Sequence, residues 1–217
     1  MTMQVGMLGI DGLVIAGDTK RHVAPLWRVW HTYNSSKMKV EISDTEKIAV
    51  ACAGDMDTAL LIANRIFHEL PPFTTIQNRE RDIREIGVST TRAEQHGAEC
   101  ITAFAEPEPS LYVLGCDKDG NGRCECVDRD HIGDPGNPAY FLAERHYREG
   151  LSVDQLVRLS AHIIVAAGKL NNGIIGGLEI VTLKSGKFHR WSKDENDTLK
   201  REITEADKKI EELILGV

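Results

Sequence analysis

The N-terminal stretch constrains the fold most, because two short apolar runs flank a turn signal there. Residues 3–8 are predicted to form a strand, Asp11-Gly12 is typical of a hairpin turn, and residues 13–16 are predicted to form a second, buried strand. A hairpin of this length brings Asp18, which follows the second strand, back beside Thr2. The sequence therefore predicts a hairpin whose open end holds a hydroxyl and a carboxylate.

Thr2 has a chemical property that few second residues have. If an aminopeptidase removes Met1, which the small side chain at position 2 permits, Thr2 carries both a hydroxyl and a free α-amine. An α-amine ordinarily has a pKa of roughly 7.7 to 8.0, so part of it is neutral near pH 7 and can accept the hydroxyl proton, directly or through a water. Taken alone, Thr2 is better interpreted as an ordinary strand residue, and the residues predicted around it change that interpretation.

Asp18 and Lys39 are the neighbours that change the interpretation of Thr2. A carboxylate at the end of an apolar strand is costly to bury unless a cation pairs with it, and Lys39 on the next apolar segment is the candidate. The charge of a lysine held by an acid favours the deprotonated forms of a nearby hydroxyl and amine, or the lysine relays a proton. We therefore predict that Thr2, Asp18 and Lys39 form one catalytic group.

Four pieces of sequence, in this order and spacing, resemble a proteasome β-type subunit and the HslV peptidase of the N-terminal nucleophile hydrolase family. They are Thr2 and residues 15–18, 37–40 and 47–54. The resemblance extends from Thr2 to about residue 183 and is greatest to the small bacterial proteasome homologues of the beta-proteobacterial type.

The resemblance implies both a fold and an activity. The implied fold is α+β, a four-layer α/β/β/α sandwich, whereas periodicity alone indicates only a mixed α/β chain. The implied activity is that of a threonine-type endopeptidase subunit in a self-compartmentalising homo-oligomer of stacked rings. Its substrates would be peptides or unfolded proteins, and an ATP-dependent unfoldase would be its partner. The alternatives are a weak or inactive ring scaffold and an amidase that acts on a small amide.

The resemblance also implies roles for further residues. The amide of Gly54 would stabilise the oxyanion, whereas Arg21, His22 and Cys52 would shape the substrate pocket or hold the substrate backbone. We expect no cofactor and no metal at the site.

Four positions depart from the pattern of the family. Asp55 stands where a second glycine is usual and Asp134 where a supporting serine is usual, and Asn172 and Ile175 replace a supporting pair of aspartate and serine. Because the supporting groups orient the amine and the nucleophilic water, their loss predicts weakened or altered activity. Asp134 would partly replace the missing charge.

Composition and charge limit the remaining classes of function. The chain has 217 residues, of which 41% are apolar, so one core is expected and residues 1–217 are predicted to form a single domain. A net charge of -7 gives a nucleic-acid role no electrostatic support. No run of about 18 to 20 apolar residues or basic-apolar leader is present, so we expect a cytoplasmic protein without membrane contact.

The five cysteines are expected to be free thiols. Cys116, Cys124 and Cys126 cluster, and His131 is available as a fourth zinc ligand, but the spacing is not that of a usual zinc knuckle. A β-hairpin turn over residues 117–123 is the favoured interpretation, also over a calcium loop.

Three helices bear on the layers of the fold. One is capped by Asp55 or Asp57 and runs to about residue 70, a more polar one covers residues 77–96, and an amphipathic one closes the chain at about 197–215.

Overall fold

The structure, a computed structural model, describes residues 2–23, 31–42, 47–70, 75–134, 136–171 and 174–216. The strands are β1 (Met3–Gly9), β2 (Gly12–Gly17), β3 (Lys20–Val23), β4 (His31–Asn34), β5 (Met38–Ile42), β6 (Lys47–Gly54), β7 (Ala98–Phe104), β8 (Ser110–Cys116), β9 (Gly122–Val127), β10 (Arg129–Gly133), β11 (Glu179–Lys184) and β12 (Lys187–Arg190). The α-helices are α1 (Met56–Glu69), α2 (Ile76–Glu94), α3 (Phe141–His146), α4 (Val153–Leu170) and α5 (Lys193–Leu215), and a 3-10 turn, Pro138–Tyr140, precedes α3.

Most of the strands form two five-stranded antiparallel sheets. Sheet I has the order β10-β1-β2-β11-β12, and sheet II has the order β5-β6-β7-β8-β9. The predicted N-terminal hairpin is confirmed, with Gln4 opposite Gly17 in the register of β1 and β2. A separate two-stranded ribbon, β3-β4, follows the hairpin.

Three apolar clusters show how the layers stack. One lies between the sheets and contains Leu13, Ile15, Ile101 and Leu111. A second joins the outer face of sheet I to α4, and a third joins the outer face of sheet II to α1 and α2. The order helix, sheet, sheet, helix confirms the four-layer α/β/β/α sandwich.

Strand β6 shows why a nearly continuous apolar run suits this architecture. Its side chains alternate, so that Val50 and Cys52 face the helices whereas Ala49, Ala51 and Ala53 face sheet I. Both faces are buried. The alanines on the inner face are small, which lets the two sheets pack closely.

The ends of the helices follow local capping chemistry. Asp55 caps α1 by accepting hydrogen bonds from Thr58 N at 3.0 Å and Thr58 Oγ1 at 2.7 Å, as one of the two predicted caps. Helix α5 begins at Lys193, earlier than expected, because Ser192 and Glu195 form a capping box ahead of residue 197. In the part of the chain that is described, no helix is both long enough and apolar enough to span a membrane.

Strand β10 and the β3-β4 ribbon did not follow from the sequence. Residues 129–133 form β10, which pairs with β1. β10 contains Arg129, Asp130 and His131, so it lacks the apolar alternation that predicts a strand. Its hydrogen bonds to β1 decide its conformation.

Candidate functional site

Thr2, Asp18 and Lys37 form a hydrogen-bonded group at the open end of the N-terminal hairpin. The Nζ atom of Lys37 donates to Thr2 Oγ1 at 2.9 Å and to the two carboxylate oxygens of Asp18 at 3.0 and 2.9 Å. The side chain of Lys37 is 2% exposed and that of Asp18 is fully buried. A buried cation is thus held between a carboxylate that neutralises it and a hydroxyl that it can polarise.

The lysine of this group is Lys37, which corrects the prediction of Lys39. Both lysines lie at the start of the same strand segment, and alternate residues of a strand share a face, so the sequence pattern alone does not separate them. Lys37 precedes β5 and donates to Thr2 and Asp18, whereas Lys39 lies within β5 opposite Val50. The side chain of Lys39 is outside the described residues.

Backbone hydrogen bonds fix the Asp18 carboxylate. It accepts from Met3 N at 2.9 Å and from Lys20 N at 3.2 Å, and the backbone N–H of Asp18 donates to Met3 O at 3.0 Å. The carboxylate is therefore held at the end of β2, directly beside the first strand. This is the neighbourhood of Thr2 and Asp18 that the hairpin predicts.

The turn after β10 holds the backbone of Thr2. The N–H of Asp134 donates to Thr2 O at 2.9 Å, and Gly133 has a φ of +105°. A Cβ on Gly133 would lie 2.1 Å from Thr2 O, so no side chain is compatible with this contact. The turn and the nucleophile candidate are thus in direct contact.

Two amides and one further carboxylate surround this turn. The Asp134 carboxylate accepts from Asn137 Nδ2 at 3.4 Å and Asn171 Nδ2 at 3.3 Å, whereas Glu99 accepts from Gly133 N at 2.7 Å. Asp134 therefore lies beside Thr2, as a supporting residue should. Asn172, the other predicted supporting residue, is outside the described residues.

Gly54 and Cys52 lie on β6, and the backbone N–H of Cys52 donates to Lys37 O at 3.0 Å. Gly54 ends the strand with a φ of +82° and lies opposite Ala98. Cys52 is fully buried on the face of β6 toward α1, where its thiol donates to Ala59 O at 3.6 Å. Their assignments to the oxyanion and to the pocket stay predictions, as do those of Arg21 and His22, whose backbones pair with Tyr33 and Thr32. The side chains of Arg21 and His22 are outside the described residues.

A cleft of about 340 Å³ adjoins the group. Two of its lining residues, Thr19 and Ser36, are sequence neighbours of Asp18 and Lys37. Trp191 and the charged pair Glu179 and Arg190 form other parts of its wall. Thr2, Asp18 and Lys37 themselves are not among the residues that line this cleft.

The cysteines do not gather into a metal site in the residues described, where no cluster of three or more metal-binding side chains occurs. Burial raises the pKa of the Cys116 thiol to about 11 and that of Cys124 to about 12. The segment between them is the predicted hairpin turn, in which Asp117 Oδ1 accepts from the backbone N–H groups of Asp119 and Asn121, at 2.9 Å each.

Sequence comparison relates the chain to proteasome subunits. No family model matches it. It is 23% identical over 207 residues to proteasome subunit beta 1 of Thermococcus kodakarensis, which covers 91% of this chain and 96% of that protein. It is also 23% identical over 221 residues to the proteasome subunit alpha of Pyrococcus abyssi, which covers 96% of this chain and 78% of that protein.

Structural comparison finds the same fold in Anbu proteins, one of which is described as an ancestral beta-subunit. The chain matches a helical assembly of the Anbu complex from Pseudomonas aeruginosa with a TM-score of 0.76 and 15% identity, over 99% of this chain and 96% of that one. It matches Anbu from Hyphomicrobium sp. strain MC1 with a TM-score of 0.72 and 14% identity, over 96% of each chain. The expected resemblance to proteasome β-type subunits is confirmed as a weak homology.

Proposed function

From the premise that this chain is a weak homologue of the proteasome subunits with the proteasome-like sandwich fold of the Anbu proteins, we propose that it is a threonine-type endopeptidase. The observation that carries this proposal is the contact of 2.9 Å between Lys37 Nζ and Thr2 Oγ1, with Asp18 on the other side of the lysine. A buried ion pair contributes little to stability, because desolvation offsets most of its attraction. A chemical role would give the pair a purpose that stability alone does not.

The nucleophile in this proposal is the Thr2 hydroxyl after Met1 has been removed. Its proton passes to the new α-amine, directly or through a water, while Oγ1 attacks the peptide carbonyl. The Lys37 ammonium already donates to Oγ1 and stabilises the negative charge that develops there, and Asp18 keeps the ammonium in place. While Met1 is attached, the nitrogen of Thr2 belongs to a peptide bond and is not a base.

Three further residues are proposed to assist the rest of the reaction. Gly54 N–H is proposed as the donor to the tetrahedral oxyanion, since Gly54 ends β6 at the margin of the site. The leaving amine takes the proton from the Thr2 α-ammonium, and a water then hydrolyses the ester on Thr2. Asp134 and Asn172 are proposed to orient the amine and this water, and Asp134 already binds the backbone of Thr2.

The proposal extends to the assembly and its substrates. Copies of the chain would form a homo-oligomer of stacked rings in the cytoplasm that encloses the threonines, and an ATP-dependent unfoldase would supply unfolded protein. The P. aeruginosa Anbu complex is described as a helical assembly. A head-to-tail interface closes into a ring or continues as an open helix according to its rotation, so an open helix is the alternative form.

A ring scaffold with little or no peptidase activity is the second candidate. This candidate is favoured by Asp134, which stands where a supporting serine is usual. The carboxylate of Asp134 already accepts hydrogen bonds from the side-chain amides of Asn137 and Asn171. Weak reaction of Thr2 with a threonine-directed electrophile, in a chain from which Met1 has been removed, would favour this candidate.

Two measurements test the proposal in sequence. Mass spectrometry of the N-terminus identifies chains that begin at Thr2, and a threonine-directed electrophile is then added to those chains. We expect one adduct per active subunit, on Thr2, which is lost in Thr2→Ala and retained in Thr2→Ser, whose hydroxyl can still attack. A chain that begins at Thr2 and forms no adduct would refute the peptidase proposal and leave the scaffold.

A further inference from the structure

Ser36 joins the segment before Lys37 to a buried carboxylate in sheet I. Its Oγ atom lies 2.8 Å from each carboxylate oxygen of Glu179, the first residue of β11. Glu179 is 6% exposed, and its carboxylate also pairs with Arg190 of β12. Glu179 is thus a nearly buried acid that contacts the residue next to the candidate catalytic lysine.

Backbone hydrogen bonds attach the same segment to both sheets. Ser35 N donates to Thr19 O at 2.8 Å, next to Asp18, and Lys37 O accepts from Cys52 N of sheet II at 3.0 Å. Residues 35–37 lie outside the strands, so a sheet ladder does not hold them. The side-chain hydrogen bond from Ser36 to Glu179 is therefore a charge-assisted attachment of this segment to sheet I, in addition to the ion pair between Lys37 and Asp18.

The position of Glu179 in β11 is unusual for a charge. Val181 and Leu183, on the same face of the strand by alternation, belong to the apolar cluster between the sheets. A carboxylate at the end of such a row loses hydration, and its cost is offset only by good partners. Glu179 also lies opposite Gly17, the residue before Asp18, so the two carboxylates flank the lysine segment.

We propose that Glu179 is a positioning residue for Lys37, which acts through Ser36 and is itself held by Arg190. The catalytic meaning of this placement rests on the proposed function, whereas the placement itself does not. A lysine side chain has about 2 kcal/mol of rotamer entropy, and an error of about 1 Å at a reacting group can cost roughly 100-fold in rate. A fixed backbone before Lys37 limits that error.

A purely structural role makes a different prediction from a positioning role. If Glu179 and Arg190 only tie β11 to β12, Glu179→Gln changes stability without changing the environment of Lys37. Ser36→Ala is less selective, because the Ser36 hydroxyl also donates to Met38 O at 2.8 Å and accepts from Met38 N at 3.1 Å. If Glu179 positions Lys37, both changes expose the lysine and slow the nucleophile. The rate of electrophile labelling and the exposure of Lys37 must therefore be measured together with the stability of each variant.

The experiment compares Ser36→Ala and Glu179→Gln with the control Ser35→Ala in full-length chains that begin at Thr2. Ser35→Ala alters the adjacent hydroxyl but keeps the backbone N–H that binds Thr19. We expect the rate of electrophile labelling to fall about tenfold in Ser36→Ala, less in Glu179→Gln because its amide oxygen still accepts, and within twofold in the control. For a peptide substrate, kcat should fall while KM stays within twofold.

A second readout does not need an active enzyme. Lys37 is nearly buried, so an amine-modifying reagent should react with it slowly in the parent chain and in Ser35→Ala, as measured by peptide mass mapping. In Ser36→Ala and Glu179→Gln we expect severalfold faster modification under conditions where the chains remain folded. If Lys37 is protected equally in all four chains, the positioning role is wrong. If the parent is not labelled on Thr2, the peptidase proposal fails, and lysine protection still decides the positioning role.

Discussion

The space between the two sheets has two ends of opposite character. At the closed end of the N-terminal hairpin it is filled by Leu13, Ile15, Leu183 and other apolar side chains. At the open end it holds Lys37 and Asp18 as a buried ion pair. The apolar end gains stability from area removed from water, whereas the polar end must offset the cost of desolvated charge. The apolar end therefore accounts for stability, and the proposed catalytic role would account for the buried charges at the polar end.

The largest expected effect separates the two lysines at the polar end. Lys37→Met removes the donor to Thr2 Oγ1 and should lower the labelling rate and kcat at least about 100-fold, as the loss of a charge-stabilising or proton-transferring group does. The matched control Lys39→Met should stay within about threefold. Steady-state kinetics on processed chains measures both, and an inactive Lys39→Met beside an active Lys37→Met would return the role to Lys39.

The stability of the polar end is tested by removing one charge and then both. Lys37→Met leaves the Asp18 carboxylate buried without its cation and should lower the free energy of unfolding by about 3 to 5 kcal/mol. Asp18→Asn combined with Lys37→Met keeps an acceptor for Met3 N, and should recover most of that loss without activity. Urea unfolding at one fixed protein concentration measures this, and a double variant as unstable as the single one would mean that the pair is structural.

The apolar end should respond in the opposite way. Leu13→Ala empties a fully buried position and should cost about 2 to 5 kcal/mol of unfolding free energy, measured by the same urea titration. The labelling rate per folded molecule should remain within about twofold, because Leu13 is remote from Thr2 along the hairpin. A large loss of labelling in folded Leu13→Ala would show that the two ends are not independent.

The turn that binds Thr2 offers a smaller effect with a matched control. Gly133→Ala places a methyl group against Thr2 O and should slow labelling by roughly tenfold, as a displaced reacting group does. Gly186→Ala also forces a side chain into positive φ, but no atom lies within 4 Å of its Cβ. Gly186→Ala should lose about 1 kcal/mol of unfolding free energy from strain, Gly133→Ala should lose more because its methyl group also overlaps Thr2 O, and only Gly133→Ala should lose labelling rate per folded molecule. Equal rates in the two variants would contradict the importance of this contact.

The smallest expected effect concerns Asp55, which departs from the family pattern directly after Gly54. Hydrogen bonds from Thr58, first from its backbone N–H, lower the pKa of Asp55. A lowered pKa stabilises the fold above the unfolded value near 3.9, and this contribution is lost as pH falls through the folded pKa. Asp55→Ala should cost about 1 kcal/mol at pH 7 and less at pH 3, and thermal unfolding at both pH values measures the difference. An equal loss of stability at pH 7 and at pH 3 would contradict a cap by the charged carboxylate of Asp55.

The N-terminal hairpin could be predicted because it rests on local signals, whereas the order of the layers followed from the resemblance to proteasome β-type subunits and not from periodicity. Apolar runs, turn residues and helix caps such as Asp55 predict individual strands and helices. The hairpin alone places Asp18 beside Thr2. β10 could not be predicted, since its sequence is polar and only its pairing with β1 makes it a strand.

The sequence predicted that Thr2 and Asp18 are neighbours, but it did not identify every residue that contacts them. Lys37 and Lys39 have the same spacing signal, and a three-dimensional contact distinguishes them. Glu99 and Glu179 reach the site from distant strands, and no spacing near Thr2 indicates them. Asp134 could be identified because the turn around it matches a family position.

A crystal structure of the processed chain after reaction with the threonine-directed electrophile tests the central claim most directly. The account predicts a covalent bond on Thr2 Oγ1, with Lys37 Nζ within about 3.2 Å of that atom and Asp18 on the other side of the lysine. The adduct oxygen should point toward Gly54 N–H. An adduct on another residue, or a Lys37 that does not contact Thr2, would contradict the account.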